Sequence, residues 1–224
     1  VCFPMRRIIL PVTIIFCFLA VAAAMVWPMS PAVAKPPVAK MITPPVVAFS
    51  TTWKLSTKDG GAGSAVAIRH NGERMLFLTA KHLLDGSAIT LSQRVVEAEA
   101  EVVSKHPSRD LALLQADAYG MTSKLEAYKL PPPAAELYVA GNQMNRGVRV
   151  TFGYAAEEAG RMSAPVVGGA SGGAVVDSDN TLVGIMSQMN WFGNGIQRWP
   201  VYHMSIYVPL AKVQAWLTEN GIQP

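Results

Sequence analysis

Cysteine is close to absent. Cys2 and Cys17 are the two present, and both lie in the N-terminal segment. From residue 18 onward the chain can form no disulfide framework, carries no thiol nucleophile and offers no cysteine-based metal site. Charge is also scarce, at 15% of residues, and no lysine- or arginine-rich cluster interrupts the apolar runs. That excludes the electrostatic footprint of a DNA- or RNA-binding protein, and no nucleic-acid partner is expected. The net charge of +4 owes part of its value to Arg6 and Arg7, because residues 1–34 hold no acid. There is no Asn-x-Ser/Thr glycosylation acceptor in the chain. Long helical periodicity is missing as well.

Present instead are a hydrophobic fraction of 50%, 18 glycines and 16 prolines, a mix that suits an all-β chain with many turns. The N-terminus has its own character. Met5, the expected start, precedes Arg6 and Arg7 and an apolar run from Ile8 to Trp27, with small residues at Ala32-Val33-Ala34. This is the pattern of a signal peptide over residues 1–34. The run is also about 20 residues long, enough to cross a bilayer as an uncleaved anchor formed by residues 8–27. Both readings put the body outside the cytoplasm, secreted or tethered, because the arginines stay inside. Any membrane contact would run through this segment alone. Residues 35–48 carry two Pro-Pro pairs and read as a semi-extended linker.

From about residue 46 the pattern is short alternating or β-branched runs split by turns. VVAFSTTWKL, GSAVAIRH, ERMLFLTA, SAITL, VVEAEAEVV and LALLQ make a first set over 49–117, with Asn71-Gly72 as a hairpin signal. A connection over 118–135 ends in three prolines. ELYVAG, VRVTFGY, RMSAPVV, GAVVD, TLVGIMSQ and HMSIYVP make a second set over 136–208. Over 209–220, Leu210, Val213, Trp216 and Leu217 fall on one face of a helix opened by Pro209 and ended by Gly221. The fold class is therefore all-β: two antiparallel six-stranded barrels, whose closure removes exposed edges, and a C-terminal helix.

Three places carry chemistry. Gly168-Gly169-Ala170-Ser171-Gly172-Gly173 sets a serine in a glycine-rich turn before a strand. Acyl transfer needs backbone N–H groups aimed at a developing oxyanion, and glycine gives the main chain that freedom. Gly169 and Ser171 are the expected donors. His82 follows the strand ERMLFLTA, where a general base would border a cleft. Asp110 opens the run LALLQ, where a carboxylate wants a partner such as an imidazole N–H. Each has a plain structural alternative: a glycine-rich turn, an ordinary histidine, a turn aspartate. The order His82, Asp110, Ser171 is the chain order of the chymotrypsin-type triad and places the serine in the second set of strands.

TAKH, SRDLALL, GASGGAVVD…TLVGI and SIYVPLAKVQAWL resemble the trypsin-like serine peptidases of the compact, disulfide-free type, including the HtrA-like protease domain, over residues 50–218. The resemblance implies a serine endopeptidase acting on protein or peptide substrates through an acyl-enzyme. His82 would be the base, Asp110 its orienting partner and Ser171 the nucleophile, with no cofactor and no metal. Ala170 stands where animal trypsins carry an aspartate, which excludes activation by a new N-terminus. With the sequence ending soon after the helix, no PDZ domain and no HtrA-type chaperone cage are expected. The alternatives are a catalytically silent protease-fold binding protein and an esterase. For the latter, Gly-x-Ser-x-Gly would sit between a strand and a helix, whereas a strand follows here.

The same resemblance puts the substrate pocket at Pro165, with walls from Ser187, Gln188 and Met189 and from His203 in the last strand pair. His70 and His106 read as surface and loop residues. Neither Ala164-Pro165-Val166 nor Met186-Ser187-Gln188-Met189 holds an acid. A Lys or Arg side chain would enter such a pocket unpaired, at a cost of several kcal/mol. Peptides differing at P1 alone are therefore expected to be cut best after Val, Ala or Leu and poorly after Arg. A preference for Glu that disappears in His203→Ala would assign the pocket to His203, and a preference for Arg would show the pocket to lie elsewhere.

Overall fold

The computed structural model describes residues 46–86, 88–120, 122, 130–193 and 198–223; the side chains of 46, 47, 190–193 and 198–203 lie outside that description. The described residues belong to one unit, Thr43–Pro224. The signal or anchor segment 1–34 and most of the 35–48 linker lie outside them. Among the described residues no helix is long and apolar enough to cross a membrane.

A short helix, α1 (Val46–Thr51), opens the fold. The β-branched run there suggests a strand, and the last three linker residues an extended chain, so the reading of 46–51 is corrected, while 35–45 lie outside the described residues. The reason is packing. The helical turn places Ala48 in the core with no exposed surface, and Thr52 Oγ1 caps the turn by donating to the Ala48 carbonyl at 2.7 Å. The first sheet follows: β1 (Thr52–Thr57), β2 (Ala62–Asn71), β3 (Arg74–Thr79), β4 (Ile89–Gln93), β5 (Val96–Lys105) and β6 (Ala112–Ala116). They close into a barrel in the order β1-β2-β3-β6-β5-β4, antiparallel throughout. Asn71 pairs with Arg74, so the β2–β3 hairpin turns on Gly72-Glu73, with Gly72 at φ +66.

The second sheet has β7 (Glu136–Gly141), β8 (Arg149–Tyr154), β9 (Arg161–Met162), β10 (Ala174–Asp177), β11 (Leu182–Gly193) and β12 (Arg198–Pro209). Its order is β8-β7-β10-β11-β12-β9, and one bridge, Ala155 to Met162, draws its two ends together. The connection from β6 to β7 includes residues 121 and 123–129, which lie outside the described residues. The C-terminal helix is shorter than its apolar face suggests. A 3-10 turn (Leu210–Lys212) follows Pro209, and α2 spans Gln214–Glu219. The predicted face is the buried one: Leu210, Val213, Trp216 and Leu217 all lie in the core.

Period-two alternation sorts the strands between three clusters. In β3, Met75 and Phe77 point into the first barrel, joining Trp53, Leu91 and Leu114. Leu76 and Leu78, on the other face, join Tyr138, Ala140, Ile185, Val208 and the α2 residues in a cluster that spans both sheets. Leu137, Val139, Val175 and Met186 fill the second sheet's interior. The strands facing the other sheet are therefore apolar on both faces, and the chain crosses between the sheets along a continuous apolar contact.

Trp53 anchors the first barrel. It is fully buried and meets Phe77 edge-on with ring centroids 5.4 Å apart. Its Nε1 has no hydrogen-bond partner among the described residues. Trp53→Ala is expected to cost about 3–5 kcal/mol in chemical denaturation, as large aromatic deletions do. Trp53→Phe, which removes no hydrogen bond, is expected to lose well under half of that.

Candidate active site

β3 and β6 are paired neighbours, with Thr79 opposite Ala112. The turn that leaves β3 and the turn that enters β6 therefore lie at the same end of the barrel. His82 sits on the first, a 3-10 turn (Lys81–Leu83), and Asp110 on the second. Two lysines tie the turns together: Lys81 Nζ donates to the His106 carbonyl at 2.9 Å and Lys105 Nζ to that of Leu84 at 2.8 Å. The result is a two-point contact. Asp110 Oδ1 accepts the His82 backbone N–H at 2.9 Å, and Oδ2 lies 2.8 Å from His82 Nδ1.

The second sheet brings Ser171 to the same place. β10 pairs with β11, and Gly172 donates to the Met186 carbonyl at 2.7 Å, which sets the 168–173 loop beside Ser187. Ser171 Oγ donates to the Ser187 carbonyl at 2.8 Å, and Ser187 Oγ donates to Asp110 Oδ2 at 2.5 Å. The hydroxyl and the carbonyl of Ser187 are therefore both engaged. The residue links the serine of the second sheet to the carboxylate of the first. Among the described residues no hydrogen bond joins Ser171 directly to His82.

The loop's own geometry is severe. Gly169 and Gly172 adopt φ +89 and +80. A Cβ on Gly169 would run into the Asn142 carbonyl, and one on Gly172 into the Ser64 carbonyl and Thr79 Oγ1. Backbone N–H groups of Ala170, Gly172 and Gly173 donate to Val167, Met186 and Ala170. Those of Gly169 and Ser171 donate to no described residue, which leaves two donors open in the loop that carries the serine hydroxyl.

Ser64, which lies outside the three motifs, fixes this loop. It is fully buried in β2. Its N–H donates to the Ser171 carbonyl at 2.8 Å, and its Oγ donates to the Gly169 carbonyl and accepts the Asn142 N–H, both at 2.8 Å. Its carbonyl accepts Thr79 Oγ1 at 2.7 Å. The available signal was a serine inside the apolar run GSAVAI, since a buried hydroxyl must be paired.

The remaining predicted positions are more scattered. Ala164, Val166 and Met186 belong to the second sheet's core, Pro165 and Gln188 are exposed, and Met189 packs partly against that core. His203 lies where the β11–β12 register jumps between Met189 and Asn190, and its side chain lies outside the described residues. A concavity of about 280 Å³ is bounded by Asp110, Ser187, Arg109, Glu158, Arg161 and Lys212, among others. A larger groove, about 620 Å³, lies on the first barrel among Phe49, Lys54, Arg94 and Tyr119 and includes none of these chemical groups. Pro165, Gln188 and Met189 line neither. Among the described residues no group of three or more His, Cys, Asp or Glu is placed to hold a metal ion.

Comparison with known families and structures points one way. A family model described as "Trypsin-like peptidase domain" matches residues 63–185. Among solved structures, the HtrA-type protease AlgW with tripeptide matches at TM-score 0.65 and 24% identity, over 79% of this chain and 64% of that one. AlgW with decapeptide matches at 0.63 and 22%, over 79% and 67%. The Rv3671c protease in an inactive form matches at 0.64 and 18%, over 79% and 91%. The chain thus spans about two thirds of the AlgW chains. Comparison with curated proteins returned no match.

Burial is the largest effect on Asp110 and opposes its ionisation. The hydrogen bonds from the His82 ring, Ser187 and the His82 N–H outweigh it together and hold the carboxyl below the usual carboxylate range. A depressed carboxyl contributes stability that is present above its unfolded value, about 3.9, and is lost as pH falls through the lower folded value. Thermal unfolding of the wild type and Asp110→Asn from pH 2 to 7 is therefore expected to show the wild type ahead at neutral pH, with the gap closing below pH 4. A constant gap would show that the carboxylate's charge contributes nothing.

Proposed function

Because the chain belongs to the trypsin-like peptidase family, we propose that it is a serine endopeptidase in which Ser171 is the nucleophile, His82 the general base and Asp110 the group that orients it. The observation that carries this is the His82–Asp110 pair at 2.8 Å, linked through Ser187 to the hydroxyl of Ser171. A neutral imidazole that donates from Nδ1 to a carboxylate presents Nε2 as an acceptor. Ser171 Oγ, on leaving the Ser187 carbonyl, can give its proton to that nitrogen as it attacks a peptide carbonyl. The open N–H groups of Gly169 and Ser171 are the donors for the oxyanion that forms. His82, with 47% of its side chain exposed, is reachable by substrate and can return the proton to the leaving amine. The Ser187 carbonyl, vacated by Ser171, becomes free to accept an N–H from the bound peptide.

Peptide is the substrate class favoured by the AlgW structures, which hold a tripeptide and a decapeptide. The same reading makes residues 1–34 a signal peptide or anchor, 35–48 a linker and 49–224 the peptidase domain, working outside the cytoplasm. A second reading, a silent protease fold, is favoured by the Ser171 hydroxyl resting on the Ser187 carbonyl rather than on His82. A fluorophosphonate probe separates the two, since labelling needs an activated serine. On peptide substrates, Ser171→Ala is expected to lose about 10⁴-fold or more in kcat. Activity within tenfold of wild type would remove Ser171 from the mechanism, and absence of labelling in the wild type would favour the silent fold.

A further inference from the structure

Four residues before Asp110, His106 opens the turn between β5 and β6. Its Nδ1 accepts the backbone N–H of Arg109 at 3.0 Å and of Ser108 at 3.2 Å. Its own N–H donates across the turn to the Leu111 carbonyl at 2.9 Å. Asp110 thus lies within a turn closed by one side chain and one backbone bond of the same residue. The His106 carbonyl accepts Lys81 Nζ at 2.9 Å, and Lys81 begins the turn that carries His82. On its far side the ring lies against Trp216 of α2, with centroids 5.4 Å apart and planes tilted by 58°.

An imidazole nitrogen that accepts two N–H groups must be unprotonated, so the ring has to be neutral with its hydrogen on Nε2. Protonation would turn the acceptor into a third donor facing two others. The charged groups around it are Lys81 from the His82 turn, Arg109 from its own turn and Glu219 from α2. Burial, then Lys81 and Arg109, lower its affinity for a proton, and Glu219 opposes them.

We infer that His106 is a positioning residue for the hydrolysis proposed above: in its neutral form it shapes the turn that presents Asp110 to His82, and its protonation releases that turn. The inference rests on His82 and Asp110 being the working pair. Because the folded imidazole titrates below its unfolded value, its contribution is complete above about pH 6.5 and is lost as pH falls through the folded value. An asparagine Oδ1 stands at the same bond distance from the backbone as Nδ1 and accepts the same kind of N–H, but does not titrate. A phenylalanine keeps a ring against Trp216 and loses the acceptor.

The test compares kcat and KM for a peptide substrate from pH 4 to 9 in wild type, His106→Phe and His106→Asn, with amide NMR of Ser108 and Arg109 across the same range. At pH 8, His106→Phe is expected to lose about tenfold in kcat with KM little changed, as the pair it aligns is misplaced. His106→Asn is expected to recover to within about threefold of wild type, because its carbonyl supplies the same acceptor. The acid limb of log kcat should steepen from one proton to two in wild type and stay at one in His106→Asn. Wild-type kcat in His106→Phe, equal impairment in both variants, or parallel acid limbs in wild type and His106→Asn would overturn the inference. If His106→Phe does not fold, the wild-type and His106→Asn limbs decide. If the wild type cleaves nothing, the peptidase reading fails separately and NMR decides. Ser108 and Arg109 amides that shift with His106 protonation support the positioning role, and amides indifferent to it overturn that role.

Discussion

The site depends on how one buried serine is bonded. Ser64 lies in β2, within the first sheet, and its N–H, carbonyl and hydroxyl are all engaged. Three of its four bonds reach the second sheet's chain, at Gly169, Ser171 and the residue that follows β7. His82 and Asp110 are fixed by the pairing of β3 with β6, and Ser171 by that of β10 with β11. Neither pairing sets the distance between the two groups. The apolar cluster shared by the sheets presses them together but is non-directional. Ser64 adds the direction. Each such bond contributes only about 1 kcal/mol net, yet stranding a buried donor or acceptor costs about 1–3 kcal/mol. Any sliding of one sheet on the other would strand several at once.

A second polar thread runs through the contact. It passes from the His82 ring to Asp110, from Asp110 to the Ser187 hydroxyl, and from the Ser187 carbonyl to the Ser171 hydroxyl. Asp110 takes three hydrogen bonds while part-buried, so its charge is compensated on the spot and it has little reason to leave. The Ser171–Ser187 bond is different in kind. It is a single neutral bond worth about 0.5–1.5 kcal/mol net, so rotating the hydroxyl toward His82 adds little to a catalytic barrier. The resting arrangement is compatible with activity, provided a substrate arrives to use the carbonyl that Ser171 vacates.

Much of this was legible in the sequence, for local reasons. Short alternating runs announce strands, Asn71-Gly72 a hairpin, and the apolar face of 210–217 a packed helical end. The glycines around Ser171 announce a backbone that tolerates no side chain, and Gly169 and Gly172 stand where a Cβ would strike a carbonyl oxygen. The opening helix was not legible, because tertiary packing of Ala48 overrides the strand preference of Val46 and Val47. The part played by Ser64 and the link from Ser187 to Asp110 are not legible, because the hydroxyls reach Gly169 and Asp110 across more than seventy residues of sequence. The pocket positions Pro165, Gln188, Met189 and His203 rest on resemblance alone, and their neighbours Ala164, Val166 and Met186 are core side chains of the second sheet.

The described residues contain no cysteine and so no disulfide, which puts weight on packing. With no covalent tie, the turn bearing Asp110 is held by what packs behind it, and that includes the C-terminal helix through the contact of Trp216 with His106. Trp216, Leu217 and Val213 belong to the cluster that also contains Leu78, Leu111 and Ile185. Leu111 directly follows Asp110, and its carbonyl accepts the His106 N–H. The apolar core therefore reaches the carboxylate through two adjacent routes, one by backbone and one by the imidazole. Loosening of α2 would reach the His82–Asp110 pair without direct contact with His82, Asp110 or Ser171. In a fold held by packing, the helix Gln214–Glu219 is thereby part of the support of a His82–Asp110 pair that lies more than a hundred residues before it in sequence.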